Sequence, residues 1–316
     1  MMGFGSRVSL HKLEVFTTVV RHGSITRAAE ELFVAQPVVS AHIRSLEERL
    51  GVRLFDRQGR QLALTEGGHI VHEWATEILT RTRELGREID GLADGNRGSV
   101  VVSASMTAGT YLLPPVIIAF KRDNPDAEIS LNITEPEGAL AAAEAGECDF
   151  AVVMLDEGES RRPLSFRHLR DEDLVLTAAP DGAPSASEVT CADLAYLSFV
   201  CSPVDRRRRG MIDRMLARHG VTKRHVVLSL GHASAIKQGV KEGLGVAMMF
   251  RASIEEDLAS GTLREIAVTD AVLSTPLLLV QRRDKRLSPL QTRLADTIVE
   301  QLGDGREART RSRAQA

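Results

Sequence analysis

Apolar residues recur at helical spacing through the first fifty residues of the chain. The first predicted helix buries residues spaced three, three and four apart, which are Leu10, Leu13, Phe16 and Val20. Gly23 ends this helix, and Ser24 is placed to cap a short second helix. The second helix turns Ala28, Ala29 and Leu32 inward. A third helix starts near Pro37, which suits a first turn, and buries Val39, Ile43, Leu46 and Leu50.

Two short helices joined by a tight turn, with a third helix supporting them, are typical of a helix-turn-helix. The outer face of the third helix carries Gln36, Val38, Ser40, Ala41 and Arg44. Glutamine pairs with adenine edges, and arginine pairs with guanine or phosphate, so this face suits a DNA major groove. A three-helix bundle with a solvated outer face fits the same periodicity equally well.

A predicted hairpin follows the third helix. Residues 51–55 are expected to enter a strand, residues 57–60 to form a turn with Gly59 at its tip, and residues 61–64 to return as a second strand. Arg57 and Arg60 would then project from a wing that reaches phosphates or a narrow minor groove.

The order of these elements resembles the LysR-type transcriptional regulators. The matching stretch runs from Leu13 to Gly68 and includes Arg27-Ala28-Ala29, Gln36-Pro37 and Leu54-Phe55. The expected DNA contacts, taken together, are Arg27, Gln36, Pro37, Val38, Ser40, Ala41, Arg44, Arg57 and Arg60. Ala35 departs from the family, which usually has a capping serine there, and a lost cap typically costs ~1 kcal/mol.

A long helix is predicted over residues 66–93. Its apolar positions, at near-heptad spacing, are Val71, Trp74, Ile78, Leu85, Ile89 and Leu92. They predict packing against a twin helix, although a helix lying on its own chain's core has the same pattern. The resemblance favours a homodimer or homotetramer on a pseudo-palindromic operator. His69 and His72 have no third ligand nearby, so no metal site is expected.

Residues 94–98 form a polar, glycine-rich break, after which strand and helix patterns alternate. The predicted strands are 100–103, 128–133, 150–155, 197–201, 226–230, 246–250 and 277–280. The predicted helices are 111–122, 140–145, 211–218, 235–242 and 289–302. This alternation predicts parallel sheets covered by helices, in two lobes with a crevice that suits a ligand.

The resemblance extends over residues 9–302 and implies the fold class. We expect an α/β protein with an N-terminal all-α winged helix-turn-helix domain and a two-lobed effector domain like the periplasmic binding proteins. The expected domains are 1–65 for DNA binding, 66–93 for the linker and dimer helix, 98–302 for the effector, and a disordered tail at 303–316. Lobe one would take 98–175 and 273–302, and lobe two 176–272.

Three loops and one acidic residue are expected to line the crevice. The nominated effector contacts are Ser105, Met106, Thr107, Glu135, Ser202, Pro203, Val204, Gly231, His232 and Ala233. Hydroxyl and N–H groups at helix starts favour a carboxylate or another small anion, although ordinary capping explains each of them equally well. The run Arg206–Arg209 is interpreted as a solvated face, with anion binding as the alternative. Cys201 lacks a partner cysteine, so a redox role is disfavoured.

Composition narrows the function classes. Hydrophobic residues make up 43% and charged residues 26%, as in an ordinary globular protein. The net charge of −3 disfavours nucleic acid, but residues 1–60 hold nine Lys and Arg against six Asp and Glu. Three widely spaced cysteines argue against disulfides and zinc. The lack of a secretory signal or a long apolar run predicts a cytoplasmic protein with no membrane contact.

The expected function is sequence-specific regulation of transcription under the control of an effector. RNA polymerase is a possible further partner. An enzyme is disfavoured because no G-x-S-x-G, P-loop or metal-ligand cluster occurs, and no cofactor is expected. A transporter's solute-binding protein would need an export signal. An architectural DNA-binding protein that senses no ligand stays open as an alternative.

Overall fold

The computed structural model describes residues 8–58, 61–92, 98–155, 163–204 and 207–303. They form two compact units, the first of residues 8–92 with 145–147, and the second of the remaining residues up to 303. The predicted tail after Gly303 lies outside the described residues.

Four helices and a hairpin build the described part of the first unit. They are α1 Leu10–His22, α2 Ile25–Glu31, α3 Gln36–Leu50, β1 Phe55–Gln58, β2 Gln61–Leu64 and α4 Glu66–Leu92. Gly23 ends α1 in the left-handed conformation, with a φ of 58°. Ser24 caps α2, because its hydroxyl accepts a hydrogen bond from the N–H of Arg27 at 3.4 Å. Both predicted boundaries are confirmed.

One apolar core joins these helices. Its buried members are Leu13, Val15, Phe16, Val19, Ala28, Ala29, Val39, Ile43, Leu46, Leu54, Val71, Ala75 and Leu79. The predicted buried faces of α2 and α3 are confirmed, although Leu32 and Leu50 are only partly buried. The predicted stripe of α1 is partly wrong, because Leu10 is exposed while Val15 and Val19 are buried. The buried face of α1 is wide because this helix contacts α2, α3 and α4.

The hairpin starts later than predicted. Gly51 is the left-handed C-cap of α3, and the strand begins only at Phe55. Leu54 is fully buried, and its N–H donates to Glu47 Oε1 at 2.8 Å, so its N–H binds α3 while its carbonyl accepts from the N–H of Thr65, just after β2. Arg57 lies within β1, where it pairs with Leu62, so the predicted turn is too long.

The first half of α4 packs on the first unit's own core. Val71 is 9% exposed, and Trp74 and Ile78 pack partly buried against the same core. Leu85, by contrast, is exposed. The side chains of Ile89 and Leu92 lie outside the described residues. The residues predicted for a twin helix therefore include some that the protomer's own core already uses.

The second unit alternates strands and helices. Its elements are β3 Gly98–Ser105, α5 Leu113–Asp123, β4 Ala127–Thr134, α6 Pro136–Glu144, β5 Phe150–Met154, β6 Leu164–Ala178, β7 Glu188–Val189, β8 Ser198–Cys201, α7 Arg207–Arg218, β9 His225–Ser229, α8 Ala233–Lys241, β10 Ala247–Phe250, α9 Glu255–Ala259, β11 Arg264–Val268, β12 Ser274–Arg282 and α10 Pro289–Leu302. A π-helical turn, Ala108–Leu112, precedes α5.

The strands form a mixed arrangement. The large sheet has the order β4-β3-β5-β12-β6-β11-β7, with β10 also paired to β6, and β8 pairs separately with β9. The pairs β3–β4, β3–β5 and β8–β9 are parallel as predicted, but β12, β10 and β11 run antiparallel to β6. The prediction of parallel sheets is therefore only partly right.

The long strand β6 runs through both lobes of this unit. Its residues up to Asp173 pair with β12, and its residues from Leu174 pair with β10 and β11. The buried carboxylate of Glu172, just before this change of partner, accepts hydrogen bonds from Arg170 and from the N–H of Ala252. The point where the sheet changes partners is therefore held by one buried side chain.

Candidate DNA-binding surface and ligand cavity

The predicted recognition face lies on one side of α3. Its exposed members are Gln36, Pro37, Val38, Ala41 and Arg44, while Ser40 is half-buried. Val39, Ile43 and Leu46 occupy the opposite, buried side. The amphipathic pattern that separated the two faces is thus confirmed, and the outer face is free of the unit's own core.

The other predicted DNA contacts flank this face in sequence. Arg27 is exposed on α2. The backbone of Arg57 belongs to β1, but its side chain lies outside the described residues, as does the whole of Arg60. The structure therefore describes the helical part of the predicted surface and leaves the wing arginines as predictions.

The start of α3 has an uncapped first turn. Ala35 occupies the N-cap with extended backbone angles, φ −71° and ψ 140°, and provides no side-chain cap. Just before it, Phe33 has a left-handed φ of 55° and is 96% exposed. A large aromatic residue seldom adopts that conformation. The turn between α2 and α3 is thus under local strain and displays an apolar side chain to solvent.

A cavity of about 400 Å³ opens in the second unit. Residues that line it follow the carboxyl ends of β3, β4, β5, β8, β9 and β10, where open α/β sheets usually bind ligands. Nine of the ten nominated effector residues lie on its wall, namely Ser105, Met106, Thr107, Glu135, Ser202, Val204, Gly231, His232 and Ala233. Pro203 is the nominated residue that the structure does not place there. The cavity is large enough for a small metabolite.

The polar groups of this wall differ in what they already bind. Ser105 Oγ accepts a hydrogen bond from the N–H of Met154 at 3.1 Å, so this hydroxyl already links β3 to β5. His232 caps α8, since its Nδ1 accepts from the N–H of Ser234 at 3.3 Å, and Nε2 then carries the ring proton. Thr107 makes no capping bond at the π-helical turn that it precedes. Capping therefore accounts for His232 but not for Thr107.

Several lining residues were not nominated from the sequence. They include Thr110, Tyr111, Glu137, Met154, Leu155, Arg208, Met211, Arg214 and Phe250. The interpretation of Arg206–Arg209 as a solvated face is wrong for Arg208, which lines the cavity, and for Arg209, whose side chain is 12% exposed. Arg206 and the side chain of Arg207 lie outside the described residues.

Arg208 has the most unusual surroundings of these residues. The residue as a whole keeps some exposure, but its Nη2 is sealed from solvent and donates no hydrogen bond to any residue the structure describes. Its guanidinium lies 5.5 Å from the centre of the Phe250 ring. Burial lowers the pKa of Arg208, while the phenol of Tyr111 and the charge of Glu135 act in the opposite direction.

Its neighbour Arg209 is held quite differently. Arg209 pairs with Asp213 at 2.7 Å, one helical turn further along α7, and Arg224 binds the other carboxylate oxygen of Asp213. The Arg224 guanidinium also lies 5.0 Å from the centre of the Phe199 ring. These two arginines therefore stabilise lobe two, in contrast to Arg208.

The described residues contain neither a metal-binding cluster nor a membrane-spanning helix. Among the described residues, no group of His, Cys, Asp or Glu has the grouping that a metal ion needs. In the same part of the chain, no helix is long and apolar enough to cross a membrane.

Comparison with known proteins agrees with the two units. Residues 10–69 match the family model for the bacterial regulatory helix-turn-helix protein, lysR family, and residues 93–303 match that for the LysR substrate binding domain. The HTH-type transcriptional regulator YeiE of Escherichia coli K12 is 34% identical over 291 residues, which cover 92% of this chain and 96% of that protein. The RuBisCO operon transcriptional regulator of Allochromatium vinosum is 32% identical over 284 residues, covering 89% and 92%.

Solved structures share the fold. A full-length OxyR variant from Pseudomonas aeruginosa superposes with a TM-score of 0.62 at 19% identity, covering 93% of this chain and 94% of that one. CbnR, a LysR family transcriptional regulator, gives 0.61 at 20% identity, covering 94% and 100%. CbnR complexed with its target DNA gives 0.55 at 20% identity, covering 93% and 100%. The predicted fold class, including the two-lobed α/β unit, is confirmed.

Proposed function

Because the chain belongs to the LysR family of transcriptional regulators, we propose that it binds specific operator DNA under the control of a small anionic effector. The observation that carries this proposal is the outer face of α3. Gln36, Ser40 and Arg44 lie opposite the side of α3 that packs into the unit's own core.

On the DNA side, α3 enters the major groove with Gln36 and Arg44 on base edges or phosphates. Ser40 and the N-terminal turn of the helix contact the adjacent backbone, and Arg27 adds a phosphate contact from α2. Arg57 and Arg60 of the wing bind the backbone beyond the groove. Together these contacts fix both the position and the sequence that one protomer reads.

Two recognition helices need a dimer. We assign dimerisation to the later part of α4, where Leu85 is exposed and Ile89 and Leu92 continue the apolar spacing. A homodimer or homotetramer then spans a pseudo-palindromic operator. It acts in the cytoplasm, and effector-dependent changes in its arrangement alter DNA bending and the contact with RNA polymerase.

On the effector side, the 400 Å³ cavity is the binding site. The partner change of β6 between Asp173 and Leu174 lies within two residues of the boundary at 175 and so supports lobes of 98–175 with 273–302 and of 176–272. A ligand that contacts both lobes favours their closed arrangement by its extra contacts in that state. We assign no enzymatic reaction to this site.

The test is retention of genomic DNA on the purified protein, with sequencing of the retained fragments at near-physiological salt. Arg44→Ala should weaken binding to the recovered operators about 5- to 150-fold, since a base contact contributes ~1–3 kcal/mol. Arg122→Ala, which removes an exposed arginine from the second unit, is the matched control and should leave binding unchanged.

Each outcome has a distinct meaning. Recovery of a few pseudo-palindromic sites, bound more weakly by Arg44→Ala, supports the proposal. Retention of DNA without sequence preference would point to an architectural protein. Unchanged operator affinity in Arg44→Ala would remove α3 from the DNA interface.

A further inference from the structure

The position of Arg208 is electrostatically unfavourable in the free protein. It is the second residue of α7, and the N-terminus of a helix carries partial positive charge, so a cation there gains nothing from the helix. Burial weakens its solvation as well. Arginines placed for stability usually pair with carboxylates, as Arg209 does with Asp213.

A contact with an aromatic ring offsets part of this cost. The ring of Phe250 supplies a cation–π contact. Its Nη2 is buried without an acceptor among the described residues. A buried donor of this kind loses its hydrogen bonds to water, and no protein hydrogen bond replaces them. The charge of Glu135 reaches Arg208, but no ion pair joins the two in the described part of the chain.

Glu135 stands on the other side of the same cavity. It follows β4 in lobe one, directly before α6, and is exposed at the cavity wall, whereas Arg208 belongs to lobe two. Much of the wall between polar groups is apolar, with Met106, Met154 and Met211 lining it. The cavity thus presents the buried guanidinium of Arg208 on lobe two, the carboxylates of Glu135 and Glu137 on lobe one, and apolar surface.

This arrangement selects a class of ligand. A bare inorganic anion would neutralise Arg208 but leave most of the 400 Å³ unfilled. A ligand with a second negative group toward Glu135 would be repelled. A hydroxyl or ammonium group in that place would instead donate a hydrogen bond to the carboxylate.

We propose that the effector is a small organic acid that also carries a hydroxyl or ammonium group. Its acidic group binds the guanidinium of Arg208 at the cavity wall, its donor group binds Glu135, and its carbon skeleton packs on the methionines. This inference rests on the proposed function, because it names the ligand of the proposed effector site. A ligand bound in this way links the two lobes.

The test measures thermal unfolding of the full-length protein with matched acids. Each set has a plain acid, a hydroxy acid and an amino acid on one skeleton, such as butyrate, hydroxybutyrate and aminobutyrate, or phenylpropionate, phenyllactate and phenylalanine. Inorganic phosphate is the bare anion. We expect a hydroxy or amino member to raise the unfolding temperature more than the plain acid of its set, and phosphate to have little effect.

Three variants locate the site. Arg208→Gln should weaken binding of the active acid about tenfold or more, as loss of a charge-assisted hydrogen bond does. Glu135→Gln should reduce the advantage of the hydroxy or amino member over the plain acid. Arg209→Gln should keep the response but lower the unfolding temperature without ligand, because it breaks the pair with Asp213.

Folding does not confound the comparison. Since Nη2 has no acceptor in the described protein, Arg208→Gln should not lower the unfolding temperature without ligand, and Arg208→Lys offers a second variant that keeps the charge. The proposal would be overturned if plain acids gave equal shifts or if Arg208→Gln kept its full response. It would also be overturned if phosphate alone had an effect or if no acid had one. Operator binding by the unmodified protein is measured in a separate experiment. If that protein bound no specific DNA, the proposed function would be refuted, whatever the acids do.

Discussion

The uncapped start of α3 makes Ala35→Ser a stabilising substitution. Ala35 already has the extended backbone angles of an N-cap residue and is exposed, so a serine fits without rearrangement. Its hydroxyl would accept a hydrogen bond from an N–H of the first turn, an acceptor that the methyl group of alanine does not supply. We therefore expect the first unit to become more stable, although the substitution touches no residue of the core.

The structure limits the size of this gain. An N-cap side chain accepts from the second or third residue of the helix, but the second residue is Pro37, which has no N–H. The third, Val38, already donates to the carbonyl of Ala35 at 2.9 Å. The gain should thus fall in the lower part of the usual range, about 0.5–1 kcal/mol. For a unit of this size, that is a rise of roughly 2–8 °C in the unfolding midpoint.

Tryptophan fluorescence gives a direct assay of the first unit. Trp74 is the single tryptophan of the chain, and it packs against the core of that unit. The matched control is Ser24→Ala, which removes the hydroxyl that caps α2 and should lower the midpoint by a similar amount. If Ala35→Ser left the midpoint unchanged or lowered it while Ser24→Ala behaved as expected, the capping argument for α3 would be refuted.

Three further predictions follow from strain and burial. Phe33→Asn should raise the free energy of unfolding of the first unit by up to ~1 kcal/mol, because asparagine tolerates the left-handed φ of 55°. A lower fluorescence midpoint would contradict strain in this turn. Gly245→Ala should destabilise the second unit in calorimetry by more than ~3 kcal/mol or abolish soluble protein, since the new Cβ would lie 2.2 Å from the Ser198 carbonyl oxygen. Its control Gly243→Ala meets no atom within 4 Å and should cost only the ~1 kcal/mol of a left-handed alanine, so equal losses would refute the steric argument. The native protein should react with no thiol reagent at neutral pH, because all three cysteines are buried and burial raises the pKa of Cys191 to about 11; labelling before unfolding would contradict this.

The helix-turn-helix was predictable because its signals are local. Gly23 and Ser24 mark one boundary through backbone conformation and capping, which depend on adjacent residues only. The hairpin was placed too early because its start depends on a distant contact. The side chain of Glu47, seven residues earlier, accepts from the N–H of Leu54, so the residue before β1 is bonded partly to α3, and no residue pattern around Leu54 signals this contact.

The second unit shows the same division between local and distant causes. The predicted alternation found most strands, but it missed β6, whose first half carries Arg167, His168 and Arg170 and lacks an apolar run. This half is a strand because β12 pairs with it from more than a hundred residues away. Likewise, four consecutive arginines look alike in a sequence, and only the start of α7 decides which of them enters the cavity.

The place of β12 in the sheet imposes an order on folding during synthesis. β12 is the last of the described strands, yet it lies between β5 and the first half of β6, which are made more than a hundred residues earlier. Until residue 282 has left the ribosome, β5 and β6 each present an unpaired edge, and such edges promote association with other chains. Strands β7 to β11 emerge during this interval, so lobe two can assemble while lobe one still waits for its central strand. A nascent chain of this protein therefore carries its greatest risk of aggregation late in translation, and a product truncated before β12 should be cleared as misfolded protein.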